Sequence, residues 1–185
     1  MWTNPSDEID RRSARLVVKR HSTQLASQQA ETRILLQDWS AEGITADSHL
    51  IFVHGALAHS GRHAAMFDWM VRRSEGKLHI HAYDLVGHGL STGPRAYVED
   101  FSVYSGDFLS IFKKLSDEFS EKNFFLMGHS LGGLIVLKSI LEREQELPVW
   151  PKGIILSNPC IRPQQVVEFP RMLDMVDSLS QHFPQ

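Results

Sequence analysis

A chain of 185 residues, 42% hydrophobic and 22% charged, has the size and composition of one ordinary globular domain able to bury a core. Its 19 basic and 22 acidic residues give a net charge of -3, which gives no reason to expect nucleic acid or an anionic membrane as a partner, and no apolar run approaches the roughly 20 residues that span a bilayer. One cysteine, Cys160, excludes an intramolecular disulfide and suits a reducing compartment; with a polar, acidic N-terminus where a secretory signal would be basic and apolar, the expectation is cytoplasmic residence.

Residues 1–30 are polar with charges of both signs, and read as either a leader or an early strand pair. Glu31 to Trp39 is strand-like and ends at the turn Ala41-Glu42-Gly43. His49 to Val53 is a short apolar strand running into His54-Gly55-Ala56. A helix is expected from about Gly61 to Arg73, with Ala65, Met66, Trp69 and Met70 on one face. Leu78 to Tyr83 reads as a strand before the glycine-rich connection Asp84 to Ser91. Phe101 to Phe119 places Tyr104, Phe108, Ile111, Phe112 and Leu115 at helical spacing. After a strand and helix around residue 130, Gly153 to Leu156 forms another apolar strand. Strands alternating with helices indicate a parallel sheet covered on both faces, an α/β fold.

The stretch with chemistry in it is Asn123 to Ile140. A buried-strand run, Phe124 to Met127, leads into Gly128-His129-Ser130-Leu131-Gly132, and an apolar helical pattern follows. Strand, sharp turn and helix is the context in which Gly-x-Ser-x-Gly lifts a serine hydroxyl clear of the sheet. Ser130 is therefore read as a nucleophile, with Gly128, His129 and Gly132 building its elbow. The glycines leave out the Cβ atoms on which strand and helix would collide.

Four motifs stand in order: His54-Gly55-Ala56, His59-Ser60-Gly61-Arg62, Asp84-x-x-Gly87-His88-Gly89-x-Ser91-x-Gly93, and Gly128-His129-Ser130-Leu131-Gly132-Gly133. Together they resemble the α/β-hydrolase family, in its monoacylglycerol lipase and lysophospholipase branch, over about residues 30 to 180. The resemblance implies an eight-stranded, mostly parallel sheet with a helical lid after the sixth strand. It divides the chain into a leader or early strands (1–30), the N-terminal part of a hydrolase core (31–159) and the start of the lid (160–185). It also implies an oxyanion hole made by the backbone N–H groups of Leu131 and Ala56. The activity implied is hydrolysis of a small-molecule lipid monoester through an acyl-enzyme on Ser130, without cofactor, and with peripheral membrane contact through the lid.

The chain departs from the family in one respect. The family's acid and histidine follow the lid in the order Ser, Asp or Glu, His, and only 55 residues follow Ser130. Asp174, Asp177 and His182 have that order but match no family motif, and are read as structural or solvated. The chain is thus expected to be C-terminally incomplete and nearly inactive alone, the alternative being a non-catalytic hydrolase fold that binds a lipid or a protein. His54, His59 and His63 recur at metal-like intervals, yet lack the accompanying carboxylates or thiolates, so no metal is expected there. His129 is read as a packing residue, and Asp84 and His88 as turn residues that brace the site. Gly153 to Ser157 is expected to be an apolar sheet edge open to oligomerisation.

Overall fold

The computed structural model describes residues 16–161. Six strands form one sheet in the order β1-β2-β4-β3-β5-β6. They are β1 (Val18–Ala26), β2 (Arg33–Ala41), β3 (Ser48–Val53), β4 (Leu78–Tyr83), β5 (Asn123–His129) and β6 (Gly153–Ser157). The pairs β1–β2 and β2–β4 are antiparallel, while β4, β3, β5 and β6 run parallel. Of the two readings of residues 1–30, the strand reading describes residues 18–26, which pair with β2 along their whole length. Residues 1–15, and the expected lid segment with Asp174, Asp177 and His182, lie outside the described residues.

Three helices cover the sheet: α1 (Ala64–Arg73), α2 (Phe101–Glu118) and α3 (Leu131–Glu142). Side chains alternate along a strand, so β3 faces both layers at once. Leu50 and Phe52 join Trp39, Phe67, Val71 and Ile80 under α1. Ile51 and Val53 join Phe108, Phe112, Leu126, Ile135 and Val136 under α2 and α3. Phe67, Phe108 and Phe112 are fully buried, and each such side chain contributes about 1.5–3 kcal/mol through apolar area removed from water. Asp100 caps α2 by accepting the Ser102 N–H at 2.7 Å, and the Ser102 side chain together with that N–H lowers the pKa of its carboxyl.

One helical face differs from expectation. In α1 the buried residues are Phe67 and Val71, with Met66 and Met70 partly buried beside them, whereas Trp69 is 61% exposed. The helix is rolled toward Phe67 because that ring meets Trp39 of β2 edge-on at 4.7 Å and Phe52 of β3 at 5.1 Å.

From β3 the chain crosses to β4 on one side and then returns to β5 on the other. Such a reversal of strand order opens a crevice at the carboxyl ends of the strands, where ligands of open α/β sheets bind. The loop after β3 and the turn after β5 both emerge there.

Candidate active site

Ser130 sits between β5 and α3 with φ 52° and ψ -116°. That conformation is costly for a residue with a side chain and persists only where surrounding structure enforces it. The enforcement is visible. The Ser130 N–H donates to the Ser157 carbonyl at 3.0 Å, while the Ser130 carbonyl accepts from the N–H groups of Gly133 (3.0 Å), Leu134 (3.3 Å) and Cys160 (3.0 Å). Two glycines permit the tight crossing. A Cβ at Gly128 would lie 2.5 Å from the Gly132 carbonyl oxygen, and one at Gly132 would lie 2.1 Å from that of Val53. Leu131 opens α3, so its N–H lies in the first turn, at the positive end of the helix.

The loop after β3 comes close to the serine. A Cβ added to Gly55 would stand 3.0 Å from the Ser130 Cβ, so the two loops are in contact with no room for a side chain between them. Ala56 follows in an exposed turn closed by the Ala58 N–H on the Gly55 carbonyl at 3.3 Å.

His54 holds this loop in place. Its Nε2 accepts the Leu85 N–H at 3.0 Å, which makes Nδ1 the protonated nitrogen that donates to the Gly55 carbonyl at 2.7 Å. Burial lowers its pKa to about 4, outweighing the bond to Gly55, so the ring is neutral. With both nitrogens on backbone groups it is a brace.

Asp84 braces the next connection. Its buried carboxylate accepts the Ser60 N–H (2.7 Å), the Ser60 hydroxyl (2.6 Å) and the Leu90 N–H (2.8 Å), tying its own loop to the segment after β3. His88 is buried with Nδ1 3.0 Å from the Val86 carbonyl oxygen. The His129 ring lies with Nδ1 3.3 Å from the Ser157 hydroxyl. Among the described residues, no imidazole is hydrogen-bonded to the Ser130 hydroxyl. A cavity of about 540 Å³ lies along α2 and α3 by Asp100, Lys138 and Arg143, and Ser130 is not in its lining.

Sequence reasoning missed Ser157 and Cys160, whose backbone groups lock the elbow. The signal was within reach, because parallel pairing of the strand after the elbow helix with β5 sets His129 opposite Ser157. His54, His59 and His63 do not converge. The histidines that do lie together are His49, His79 and His81, at the other end of the sheet.

The family model described as serine aminopeptidase, S33, matches residues 45–185. The chain belongs to the serine aminopeptidase S33 family. Its sheet order and elbow are those of an α/β-hydrolase fold. Monoglyceride lipase of Rattus norvegicus is 39% identical over 113 residues, covering 60% of this chain and 35% of that protein. Monoglyceride lipase of Homo sapiens is 36% identical over 124 residues, covering 65% of this chain and 38% of that protein. A solved lipase in its open form superposes with a TM-score of 0.61 at 20% identity, covering 75% of this chain and 44% of that one. The S33 chain therefore spans little more than a third of the length of the monoglyceride lipases it matches.

Proposed function

We propose that this chain carries the nucleophile and oxyanion elements of a serine ester hydrolase acting on a lipid monoester such as a monoacylglycerol or lysophospholipid. The observation that carries the reading is the strained Ser130 backbone, φ 52°, held by four hydrogen bonds at the crevice end of the sheet. Substrate class rests on the likeness to monoglyceride lipases.

In this reading the Ser130 Oγ attacks the ester carbonyl and its proton passes to a base. The negative charge that develops on the carbonyl oxygen is met by the N–H groups of Leu131 and Ala56, which are set before the reaction begins. Collapse of the tetrahedral intermediate breaks the bond to the alcohol, leaving the acyl group on Oγ, and water then releases the fatty acid. Activation of Oγ requires an oriented imidazole. None of the described residues supplies it, so the base and its acid partner come from beyond residues 16–161. Loss of the base lowers turnover by about 10⁶, with a residual of about 10³ to 10⁴ over water from the oxyanion hole and binding.

The test is acylation of Ser130. Incubation with an activated nitrophenyl ester and peptide mapping should find a slow acyl adduct on the Ser130 peptide that is absent from Ser130→Ala. An adduct spread over surface serines, or none, overturns the reading. The second reading, a non-catalytic lipid-binding hydrolase fold, is favoured by the missing contact between the Ser130 hydroxyl and an imidazole. Saturable monoacylglycerol binding without a Ser130 adduct would establish it.

The finer placements belong to the same proposal. Residues 31–159 form the core with the preceding strand, 160–185 begin a lid that touches the membrane surface, and the protein works in a reducing compartment such as the cytoplasm. Among the described residues no helix is long and apolar enough to cross a membrane.

A further inference from the structure

At the amino ends of β3 and β4, at the end of the sheet opposite the elbow, three imidazoles are gathered by strand geometry alone. His79 and His81 are two residues apart on β4 and therefore share a face, and His49 of β3 is paired directly with His79. Their ring centroids are 4.1 Å apart for His79 and His81, 5.2 Å for His49 and His79, and 5.3 Å for His49 and His81. One nitrogen from each lies within 4.8 Å of the others. Nothing in the reaction at Ser130 uses them. The three polar rings pack under Phe119 and Phe124, and their hydrogen-bond partners are one another and Asp38.

We infer that His49, His79 and His81 bind a divalent cation of the zinc class. Imidazole nitrogen is a preferred donor for such ions, and three protein ligands plus water complete a tetrahedral site. Zinc–nitrogen bonds of about 2.0–2.1 Å place ligand nitrogens about 3.3 Å apart; His49 Nδ1 and His81 Nε2 already stand near that spacing, and ring rotation brings in the His79 nitrogen, which lies within 4.8 Å of them. His79 is already oriented as metal ligands are: its Nε2 lies 2.8 Å from an Asp38 carboxylate oxygen, leaving Nδ1 as the donor atom. His49 Nδ1 and His81 Nε2 stand 3.0 Å apart and share a proton. An ion entering between them displaces it, and each ring then carries its proton on the other nitrogen. A cavity of about 140 Å³ by Thr23, Lys114 and Glu118 gives the ion an entry path and leaves room for the fourth, water ligand. Lys114 and Lys122 weaken the site electrostatically, and the Asp38 charge acting through His79 opposes them.

The consequence is a clip joining β3 to β4 far from the serine, so Ser130→Ala leaves it intact. The test is titration of the full 185-residue chain, freed of metal by chelation, with Zn²⁺ and with Co²⁺ as a spectroscopic probe. One equivalent per chain is expected, with the visible absorption of tetrahedral cobalt and a chelator-reversible rise in melting temperature. Asp38→Asn, which keeps all three ligands, should weaken binding about 10–100-fold. His79→Ala should abolish the cobalt spectrum, and His59→Ala, at an exposed loop histidine, should change nothing. If His79→Ala fails to fold, Asp38→Asn decides. Binding that is absent, or unchanged in Asp38→Asn, or lost in His59→Ala, overturns the site and leaves a proton-sharing histidine cluster.

Discussion

Gly132 at the start of α3 presses against the backbone of Val53 at the end of β3: a Cβ there would lie 2.1 Å from the Val53 carbonyl oxygen and 2.7 Å from that of His54. The obstruction is main chain of a central strand, which cannot rotate aside. Gly132→Ala is therefore expected to cost about 3 kcal/mol, the upper end for overpacking, and to displace Ser130 from the loop carrying Ala56. Denaturant unfolding measures it. A loss below about 1 kcal/mol would show that the crossing of strand and helix is looser than described.

Asp84 gives a sharper test, since its two oxygens serve different donors. One accepts from Ser60 and the other from the Leu90 N–H at 2.8 Å. In Asp84→Asn, whichever way the amide turns, its NH₂ faces one of those N–H groups. The expected cost is about 2–3 kcal/mol, although the side chain keeps its shape. An Asn variant as stable as wild type would mean that water serves the second donor.

Local pattern was enough to locate β4, α2 and the elbow, because their apolar periods are set by their own layer. Leu78–Tyr83 and the α2 positions Tyr104, Phe108, Ile111, Phe112 and Leu115 lie where periodicity places them. The face of α1 was not legible, since Trp69 and Phe67 are equally apolar in sequence and only Trp39 and Phe52 across the interface choose between them. The turn around Ser130 was legible from the apolar strand before it and the helical pattern after it. Its lock was not, because Ser157 and Cys160 act through backbone groups that no side-chain pattern records. The triplet His49, His79 and His81 was missed for a related reason. It depends on which residue of β3 faces which residue of β4, and register becomes visible only with the sheet assembled.

Asp107 predicts a pH dependence. Burial raises its pKa from 3.8 to about 6, against the opposing bonds from Gln28 and Ser27. Between those values the folded chain keeps a proton that the unfolded chain has lost, so this group's stabilisation is complete below about pH 4. It is lost as pH rises through about 6. The loss is about 2–3 kcal/mol. His54, with its pKa lowered to about 4, acts in the opposite direction over part of the same window. Comparison with Asp107→Asn cancels it. Wild-type stability minus that of the variant should fall between about pH 4 and 6.5; a flat or rising difference would show that Asp107 is solvated.

The strand β6 leads to the last prediction. Ile154, Ile155 and Leu156 are 41%, 48% and 36% exposed, and among the described residues β6 has a hydrogen-bonded neighbour, β5, on one side only. Unpaired backbone groups flanked by apolar side chains are a template for pairing with another strand. Charge at the centre of such an edge opposes that pairing. Sedimentation of the 185-residue chain should therefore give concentration-dependent species heavier than 21.0 kDa, and Ile155→Lys should shift them toward the monomer. A wild-type chain that sediments as 21.0 kDa at every concentration would mean that this edge does not template association.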